Sequence, residues 1–389
     1  MKTLKDRVRL VLILIGILVF CGLFYLLVAF TNIPILSEMR NIWIETAMTT
    51  ADHQWLATKL FPESVINKVM SNKIEDSGEV GITEIKRPTN LVYSDGVKYD
   101  FTEINNVLKE LDSKYDEKVA SEKVEDIEEV KEVETIIPNA TIFTDTDEFG
   151  NKVLVNDVEE GIKIVEVKTS TYTGRLVFID DPSRVFIAHT NKKGSRGELI
   201  LNYLDKYDAI LGINANGFVD NEGKGHGGEI IGCSVSNGEL WGNAAFSLYT
   251  TIGFDDENRL VVGKLDNPKD YNLRDAAQFK PALIINGENL MKGSSGWGLQ
   301  PRTIVGQRAD GVVVFLVVDG RKPGYSLGIT MGEAADLLMK YDVVTAAACD
   351  GGSSSVLAYD GEIINKPSTP MTTGRYLPNA FLVKSKTAK

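Results

Sequence analysis

The stretch GVVVFLVVDGR, residues 311–321, carries the strongest fold signal in this chain of 389 residues. Residues 311–318 are nearly all β-branched or aromatic, and their apolar side chains fall on both faces of an extended strand. A strand that is apolar on both faces belongs in the middle of a sheet that is covered on each side. We therefore predict a central strand here, with Asp319 and Arg321 just beyond its carboxyl end.

Further strand and helix signals surround this segment. Strand-like runs occupy residues 163–167, 174–179, 185–189, 209–213, 260–262, 282–285 and 343–348. The best helix candidates are residues 195–207 and 330–341, and the second opens with Thr330 and Glu333 in capping-box spacing. Strands outnumber helices and do not alternate regularly with them. This pattern predicts an α+β fold with a mixed, strand-rich sheet core and few helices.

Charge and cysteine content narrow the function classes. The formal net charge is −12, and a diffuse acidic surface does not follow a nucleic-acid backbone. Of the three cysteines, Cys21 lies in an apolar run, while Cys233 and Cys349 either form one disulfide or stay as two free thiols. Their spacing resembles no zinc site. We expect no nucleic-acid partner.

Residues 10–30, LVLILIGILVFCGLFYLLVAF, predict a transmembrane helix. The run has no charged residue, and at about 1.5 Å per residue it spans roughly 30 Å, the thickness of the hydrocarbon core. Four basic residues against one acid precede it, which predicts a cytoplasmic N-terminus (residues 1–9) and an extracytoplasmic remainder. The alternative is a cleaved signal peptide, but the run is longer than usual and no A-x-A-like site follows. The predicted location is the cell membrane.

Residues 31–140 read as a juxtamembrane helical segment followed by an acidic stalk. Residues 109–134 are dominated by Glu, Asp, Lys and Val and contain no Gly or Pro, as is typical of a solvated spacer. Composition changes near Pro138, so we place a folded domain at residues 141–389. The stalk is expected to hold that domain away from the bilayer.

Four polar clusters follow predicted strand ends, where sites form on a sheet scaffold. Each combines small residues with carboxylates, amides, hydroxyls or arginines. The first cluster is residues 214–229, with Asn214, Asn216, His226 and Glu229. The second is residues 301–303 with Arg302, and the third is residues 319–321 with Asp319 and Arg321. The fourth is residues 350–355, with Asp350, Ser353 and Ser354. Arginine grips phosphate in bidentate fashion, and a glycine turn beside a carboxylate suits an anion or a sugar oxygen.

Taken in order, these clusters resemble the phosphodiester glycosidase family. The family pattern runs N-x-G-F, P-R-T-x-x-G, D-G-R, G-x-[TS]-x-x-E-x-A, D-G-G-G-S-S and a late Asn. In this chain the corresponding positions are residues 216–218, 301–306, 319–321, 328–335, 350–354 and Asn379. The resemblance covers about residues 161–383, and the opening of that region is similar to bacterial membrane-tethered members linked to exopolysaccharides. Ser353 stands where the family has a third glycine.

The resemblance implies hydrolysis of a sugar-1-phosphodiester at the anomeric carbon. The phosphate leaving group needs little protonation, so charge stabilisation should matter more than a general acid. The resemblance implies that Asp350 is the carboxylate facing the anomeric centre, with Asp319 as the other candidate and Glu229 as a water-activating base. It implies that Arg302 and Arg321 bind the phosphate and that His226 is a proton shuttle. The residues implied to contact sugar hydroxyls or phosphate oxygens are Asn214, Asn216, Ser353, Ser354 and Asn379. His226 is also consistent with a plain loop residue.

The expected partners are a phosphodiester-linked glycan of the envelope and the membrane that holds the N-terminal helix. No cofactor or metal is expected, although an Asp- and Asn-rich loop leaves Ca²⁺ open. Two other functions fit the same clusters. One is a non-catalytic protein that binds glycan phosphates during polymer assembly, and the other is a metal-dependent phosphodiesterase that cuts a phosphorus–oxygen bond.

Overall fold

The structure, a computed structural model, describes residues 4–50, 53–74, 79–85, 90–92, 98–100, 146–220, 225–242, 248–265, 268–293 and 295–387. The predicted acidic stalk at residues 109–134 and the predicted domain boundary at residue 140 lie outside the described residues.

The helices are few and the strands many. The described helices are α1 (Leu4–Phe30), α2 (Pro34–Met48), α3 (Trp55–Thr58), α4 (Glu63–Met70), α5 (Ile200–Tyr207) and α6 (Met331–Lys340). The described strands are β1 (Gly81–Ile82), β2 (Asn90–Val92), β3 (Lys98–Asp100), β4 (Lys152–Asp157), β5 (Ile162–Lys168), β6 (Thr173–Ile179), β7 (Val185–His189), β8 (Ala209–Asn214), β9 (Cys233–Ser236), β10 (Glu239–Gly242), β11 (Thr250–Asp255), β12 (Leu260–Gly263), β13 (Leu273–Phe279), β14 (Ala282–Ile285), β15 (Glu288–Asn289), β16 (Arg302–Arg308), β17 (Val313–Val318), β18 (Val343–Ala348), β19 (Leu357–Tyr359), β20 (Glu362–Ile363) and β21 (Asn379–Lys384). The predicted strand-rich α+β fold with few helices is confirmed.

Three sheets build the domain, and β2 and β3 form a separate two-stranded sheet. The largest has the order β15-β14-β18-β16-β17-β6-β5-β4, the second β1-β12-β11-β13-β9-β10 and the third β20-β19-β8-β21-β7. Every pairing between these described strands is antiparallel, which refines the expectation of a mixed sheet.

Strand β17 confirms the prediction of a central strand that is covered on both faces. It pairs with β16 on one side and with β6 on the other. Val313, Phe315 and Val317 join the core shared with the two smaller sheets, whereas Val314 and Leu316 join the core under α6. All six residues of the strand are buried. The strand begins at Val313 and not at Gly311, because a turn with positive φ at Gly311 precedes it.

The two predicted helices have different outcomes. Helix α6 begins after Thr330, whose hydroxyl accepts from the Glu333 N–H while the Glu333 carboxylate accepts from the Thr330 N–H, as the capping box predicts. Helix α5 begins at Ile200 and not at residue 195, so that part of the prediction is wrong. Residues 195–199 are instead held in loop conformation, because Glu198 forms a β-bridge with Leu377.

Several strands were not predicted, and one of them, β13, has a sequence that is atypical of strands. Strand β13 reads LRDAAQF, and its buried Asp275 and Gln278 are satisfied by main-chain N–H groups. The Asp275 carboxylate accepts from Ile187 at 3.0 Å, and the Gln278 carboxamide accepts from Cys233 at 3.0 Å. Buried polar groups of this kind become acceptable only when tertiary partners meet their hydrogen bonds.

The N-terminal helices pack together beside the sheets. Ile44 and Ala47 of α2, Ala57 of α3, and Ile66 and Val69 of α4 form a small core. Strand β1 then pairs with the edge strand β12. The juxtamembrane helical segment is therefore joined to the strand-rich domain within the described residues.

Helix α1 is long and apolar enough to cross a membrane over Arg9–Phe30, with a mean hydropathy of 3.0. A signal sequence near an N-terminus can meet the same criteria of length and hydropathy.

The capping box gives a stability prediction. Replacing Thr330 with Ala removes the side-chain acceptor of the Glu333 N–H, which should cost about 1 kcal/mol, while Thr330→Ser keeps the hydroxyl and should cost little. Urea unfolding of the full chain, followed by circular dichroism, measures the difference. Equal midpoints for the wild type and both variants would contradict the role of this cap.

Candidate active site

The polar clusters converge because the strands that carry them are antiparallel neighbours. Strand β16 begins at Arg302, opposite Val318 at the end of β17. On its other side, Ile304 lies opposite Ala348 at the end of β18. The amino end of an antiparallel strand meets the carboxyl ends of its neighbours at one edge of the sheet. The loops that follow β17 and β18 therefore flank Arg302.

Asn214, at the end of β8, joins the third sheet to this edge. Its Nδ2 donates to the main-chain carbonyl of Asp350 at 2.7 Å. Its Oδ1 accepts from the Thr303 hydroxyl at 2.8 Å and from the Val356 N–H at 3.2 Å. Because the side chain is fully buried and both ends of its amide are engaged, these contacts indicate that Asn214 fixes the loop that carries Asp350. Its predicted contact with a ligand stays a prediction.

Arg302 is a buried cation, with 6 % of its surface exposed. Its Nη2 donates to the carbonyls of Trp297 at 2.7 Å and Gly298 at 3.2 Å, while its Nε has no hydrogen-bond partner among the described residues. No carboxylate of a described residue lies within ion-pair distance of it. Burial, together with the positive charge of Arg321, lowers the pKa of the Arg302 guanidinium to about 9. The group remains charged at neutral pH in a place that favours an added anion.

Arg321 approaches the same place from the loop after β17. Its Nε donates to Oε1 of Gln300 at 2.9 Å, and its backbone has a positive φ of 57°. A Cβ atom added to Gly352 would lie 3.0 Å from the Arg321 Nη2, so the guanidinium covers the turn that follows Asp350. Glycine at this position, with a φ of 63°, lets the arginine and the turn approach closely. The two predicted phosphate-binding arginines are thus brought together.

Asp350 follows the end of β18, and the turn after it is the one that the Arg321 guanidinium covers. Burial raises the pKa of the Asp350 carboxyl group from 3.8 to about 6, although hydrogen bonds from Ser354 and Gly351 and the charge of Arg375 oppose the shift. The neighbouring charge of Asp220 adds to the increase. A carboxyl group with a perturbed pKa in a site with convergent cations is a candidate for chemistry.

Arg375 and Asp220 belong to the site and were not predicted. Their side chains form an ion pair at 2.7 Å, and the pKa of Asp220 lies below its usual range even though burial opposes the shift. Arg375 also donates to the Ser353 hydroxyl at 3.3 Å and stacks on the ring of Phe218 at 4.6 Å. Phe218 belongs to the predicted N-x-G-F cluster, so Asp220, two residues later, was within reach of sequence inspection. Arg375 follows no strand and carries no comparable signal.

Asp319 is fully engaged inside the protein. Its Oδ1 accepts from the Asn365 carboxamide and the Lys366 N–H, both at 2.9 Å, and its Oδ2 accepts from the Tyr325 hydroxyl at 2.8 Å. Only 2 % of its surface is exposed. These bonds indicate that Asp319 organises the neighbouring loops. Its predicted role as a second catalytic carboxylate stays a prediction.

Asn216 and Asn379 form part of a buried polar network. The Asn379 Nδ2 donates to Asn216 Oδ1 and to the Ser234 hydroxyl, both at 2.8 Å, and Asn216 Nδ2 donates to the Cys233 carbonyl at 3.0 Å. The His189 Nε2 lies 2.9 Å from the same Ser234 hydroxyl, and burial lowers the pKa of this imidazole to about 4. The two amides are fully used in joining strands, so they act on the site by holding the loop after β8. Contacts of theirs with substrate stay predictions.

The remaining predicted residues divide into two groups. Ser354 is buried and hydrogen-bonds to Asp350, and Ser353 contacts Arg375, so both lie at the site. Glu229 and His226 are exposed on a loop, and no side chain of the described residues hydrogen-bonds to the carboxylate of the first or the imidazole of the second. The predicted roles of these two residues in catalysis are untested.

Cys349, which precedes Asp350, and Cys233 are both buried free thiols. Of the two alternatives left open by the sequence, the structure contains the free thiols. Burial raises the pKa of Cys233 to about 12 and that of Cys349 still further, so neither thiol is ionised near neutral pH.

Residues 207–384 match the family model described as phosphodiester glycosidase. Every site residue named above, from Asn214 to Asn379, lies within that match. Residues 207–384 of this chain are therefore similar to a phosphodiester glycosidase domain.

Curated relatives of this domain come from distant sources. The chain is 25 % identical over 296 residues to the SPbeta prophage-derived uncharacterized protein YomE of Bacillus subtilis (strain 168), covering 73 % of this chain and 43 % of the relative. It is 39 % identical over 70 residues to N-acetylglucosamine-1-phosphodiester alpha-N-acetylglucosaminidase of Bos taurus, covering 18 % and 13 %. The chain thus spans less than half the length of either relative.

Solved structures are similar at lower identity. The catalytic domain of zebrafish N-acetylglucosamine-1-phosphodiester alpha-N-acetylglucosaminidase, auto-inhibited by its pro-peptide, matches with a TM-score of 0.48 and 18 % identity, over 58 % of this chain and 82 % of that one. A hypothetical protein from Synechocystis matches with a TM-score of 0.46 and 14 % identity, over 58 % and 62 %.

Within the described residues, no group of three or more His, Cys, Asp and Glu side chains could hold a metal ion. Whether this domain uses Ca²⁺ stays an open prediction.

The raised pKa of Asp350 predicts a pH-dependent stability difference. Its pKa is higher in the folded chain than in the unfolded one, so the stability contribution of this group falls as pH rises from about 4 to about 6. Asp350→Asn removes the buried charge and keeps an oxygen for Ser354. We expect the variant to be more stable than the wild type by about 3 kcal/mol at pH 7, and by little at pH 4. Denaturant unfolding at pH 4, 5, 6 and 7 measures this, and a difference that does not change with pH would contradict the assignment.

Proposed function

We propose that the chain hydrolyses a sugar-1-phosphodiester, releasing the sugar from its phosphate. The observation that carries the proposal is the buried guanidinium of Arg302, which has no carboxylate partner among the described residues. Other buried or half-buried arginines of the domain do have one. They are Arg175 with Glu166, Arg184 with Glu160, Arg274 with Asp275 and Arg375 with Asp220. A buried cation left without its counter-charge is costly unless a ligand supplies it.

A phosphodiester would supply that counter-charge. Arg302 and Arg321 would contact its non-bridging oxygens, beside the turn at Gly352 that the Arg321 guanidinium covers. As the bond to the sugar breaks, the phosphate gains negative charge, and two fixed guanidiniums stabilise that charge more than they stabilise the substrate. A phosphate monoester is a stable anion near neutral pH, so strong protonation of the leaving oxygen is not required.

Asp350 would face the anomeric carbon, where positive charge develops in the transition state. Its pKa of about 6 leaves the carboxyl group mostly ionised at pH 7. The Asp220–Arg375 ion pair lies near Asp350. Asp220 is the further carboxylate of this site, because its charge raises the pKa of Asp350. Ser354 hydrogen-bonds to the Asp350 carboxyl group, and the Ser353 hydroxyl accepts from Arg375. These contacts orient Asp350 and Arg375.

The proposed setting is the outer face of a cell membrane, with an envelope glycan or exopolysaccharide as substrate. The apolar helix α1 and the basic residues before it support an anchor with the domain outside the cytoplasm. Packing of the end of α1 also supports a retained helix, because Ala29 is buried and the Tyr25 hydroxyl donates to the Leu60 carbonyl at 2.9 Å. A cleaved signal sequence would leave those contacts empty.

The test uses a panel of sugar-1-phosphodiesters with small aglycones and the full chain in detergent. We expect Arg302→Ala and Asp350→Asn to lower kcat by about 10²–10³-fold, because each removes charge stabilisation in the transition state. Wild-type kcat should rise with pH through about 6, as Asp350 ionises. Arg308→Ala is the matched control, since Arg308 ends the same strand and is ion-paired with Asp310.

Product analysis in ¹⁸O-labelled water separates the alternatives. Label in the released sugar supports cleavage at the anomeric carbon, whereas label in the phosphate would favour the phosphodiesterase. Saturable binding without product would favour a glycan-phosphate-binding protein. Wild-type turnover in both site variants would refute the assignment of Arg302 and Asp350.

A further inference from the structure

Residues 297–300, here called the arginine-holding segment, contact both arginines of the site. The carbonyl of Trp297 accepts from Arg302 Nη2 at 2.7 Å, and the Oε1 of Gln300 accepts from Arg321 Nε at 2.9 Å. Each guanidinium therefore has at least one of its donors directed by this segment. A displacement of the segment would turn both cations away from a common anion.

The arginine-holding segment is in turn held by helix α2, which lies outside the family match. The Thr46 hydroxyl accepts from the Leu299 N–H at 2.9 Å, and the Thr46 carbonyl accepts from Gln300 Nε2 at 2.9 Å. The Thr49 hydroxyl lies within 3.3 Å of both the Gln300 Nε2 and the Trp297 carbonyl. Gln300 thus has its amide nitrogen on α2 and its amide oxygen on Arg321.

Two glycines allow this close approach. Gly298 has a φ of 59°, and a Cβ atom there would lie 2.4 Å from the Thr46 nitrogen. Gly296 has a φ of 77°, and a Cβ atom there would lie 2.4 Å from the Cα of Lys73. At both positions a side chain would clash with backbone, and the backbone conformation itself favours glycine. The sequence KGSSGWG therefore fits the N-terminal helices at these two points.

Helix α2 itself has a fixed position. The Arg40 guanidinium donates to the carbonyls of Ala29 at 3.2 Å and Thr31 at 3.0 Å, at the carboxyl end of α1. Ile44 and Ala47 pack into the small core with α3 and α4. The chain of contacts therefore runs from the end of α1, through α2, to the arginines.

We propose that helix α2 is a working part of the site, and that Thr46 and Gln300 are positioning residues that set the geometry of Arg302 and Arg321. The inference rests on the proposed function only for the identity of the anion as a phosphate. It assigns residues before the family match a direct effect on anion affinity. An isolated domain without α2 would lack the partners of Leu299 and Gln300.

The experiment measures binding of inorganic phosphate to the full chain in detergent by titration calorimetry, beside kcat and KM. Thr46→Val removes the acceptor of the Leu299 N–H, and Gln300→Met removes the bridge between α2 and Arg321. Each should weaken phosphate binding about tenfold, the effect of one lost hydrogen bond to a directed group. Because both act on the same segment, the double variant should lose less than the product of the two.

Two variants serve as controls. Thr46→Ser keeps the hydroxyl and should restore wild-type affinity. Thr50→Val changes a buried threonine just beyond the end of α2, whose hydroxyl donates to the Ala47 carbonyl at 2.8 Å. The Thr50→Val variant should bind phosphate with wild-type affinity, even if its midpoint of thermal unfolding falls as far as that of Thr46→Val.

The outcomes separate this inference from the proposed function. Wild-type phosphate affinity in Thr46→Val and Gln300→Met, or an equal loss in Thr50→Val, would overturn the inference. So would a wild-type chain that binds no phosphate at millimolar concentration. Phosphate affinities in the expected order without turnover on any sugar phosphodiester would support the inference and refute the proposed hydrolysis.

Discussion

The carboxamide of Asn214 lies at the junction between the third sheet and the edge where the site forms. It bonds to the Asp350 carbonyl and the Val356 N–H, both in the connection between β18 and β19, and to the Thr303 hydroxyl on β16. Each of these partners is remote in sequence from Asn214, and in a dry interior each would be costly to leave unsatisfied. The fully buried Asn214 side chain therefore helps to hold the Asp350 loop against β16, together with main-chain hydrogen bonds from Cys349 to Thr303 and from Gly352 to Pro301.

The charges of the site follow from that arrangement. Asp350 is enclosed enough for its pKa to rise to about 6, and Arg302 enough for its pKa to fall to about 9. Both shifts show that burial disfavours the charged form, so the ionised carboxylate of Asp350 and the guanidinium of Arg302 each destabilise the folded protein. The ion pair between Arg375 and Asp220 limits that cost near Asp350. Near Arg302 the corresponding partner is the anion that the proposed reaction would bring.

The site extends beyond the residues that the family model matches. Residues 207–384 contain the carboxylates, the arginines and the amides. The support of the two arginines comes partly from α2, through Thr46 and the amide of Gln300. The N-terminal helices thus connect an apolar helix that is long enough to span a membrane with the groups that would bind phosphate. The end of helix α1 and the geometry of the site are therefore linked through packing.

Local sequence determined the features that depend on neighbours along the chain. The two-faced apolar run gave the central strand β17, the spacing of Thr330 and Glu333 gave the start of α6, and the order of polar clusters identified the family. Only the tertiary structure separated Asp350, whose pKa is perturbed, from Asp319, whose oxygens are all engaged by loops. Only it brought Arg375 and Gln300 into the site and paired Asp220 with Arg375. The reason is physical: a hydrophobic pattern or a cap acts within a few residues, whereas the role of a polar side chain depends on partners that folding brings together.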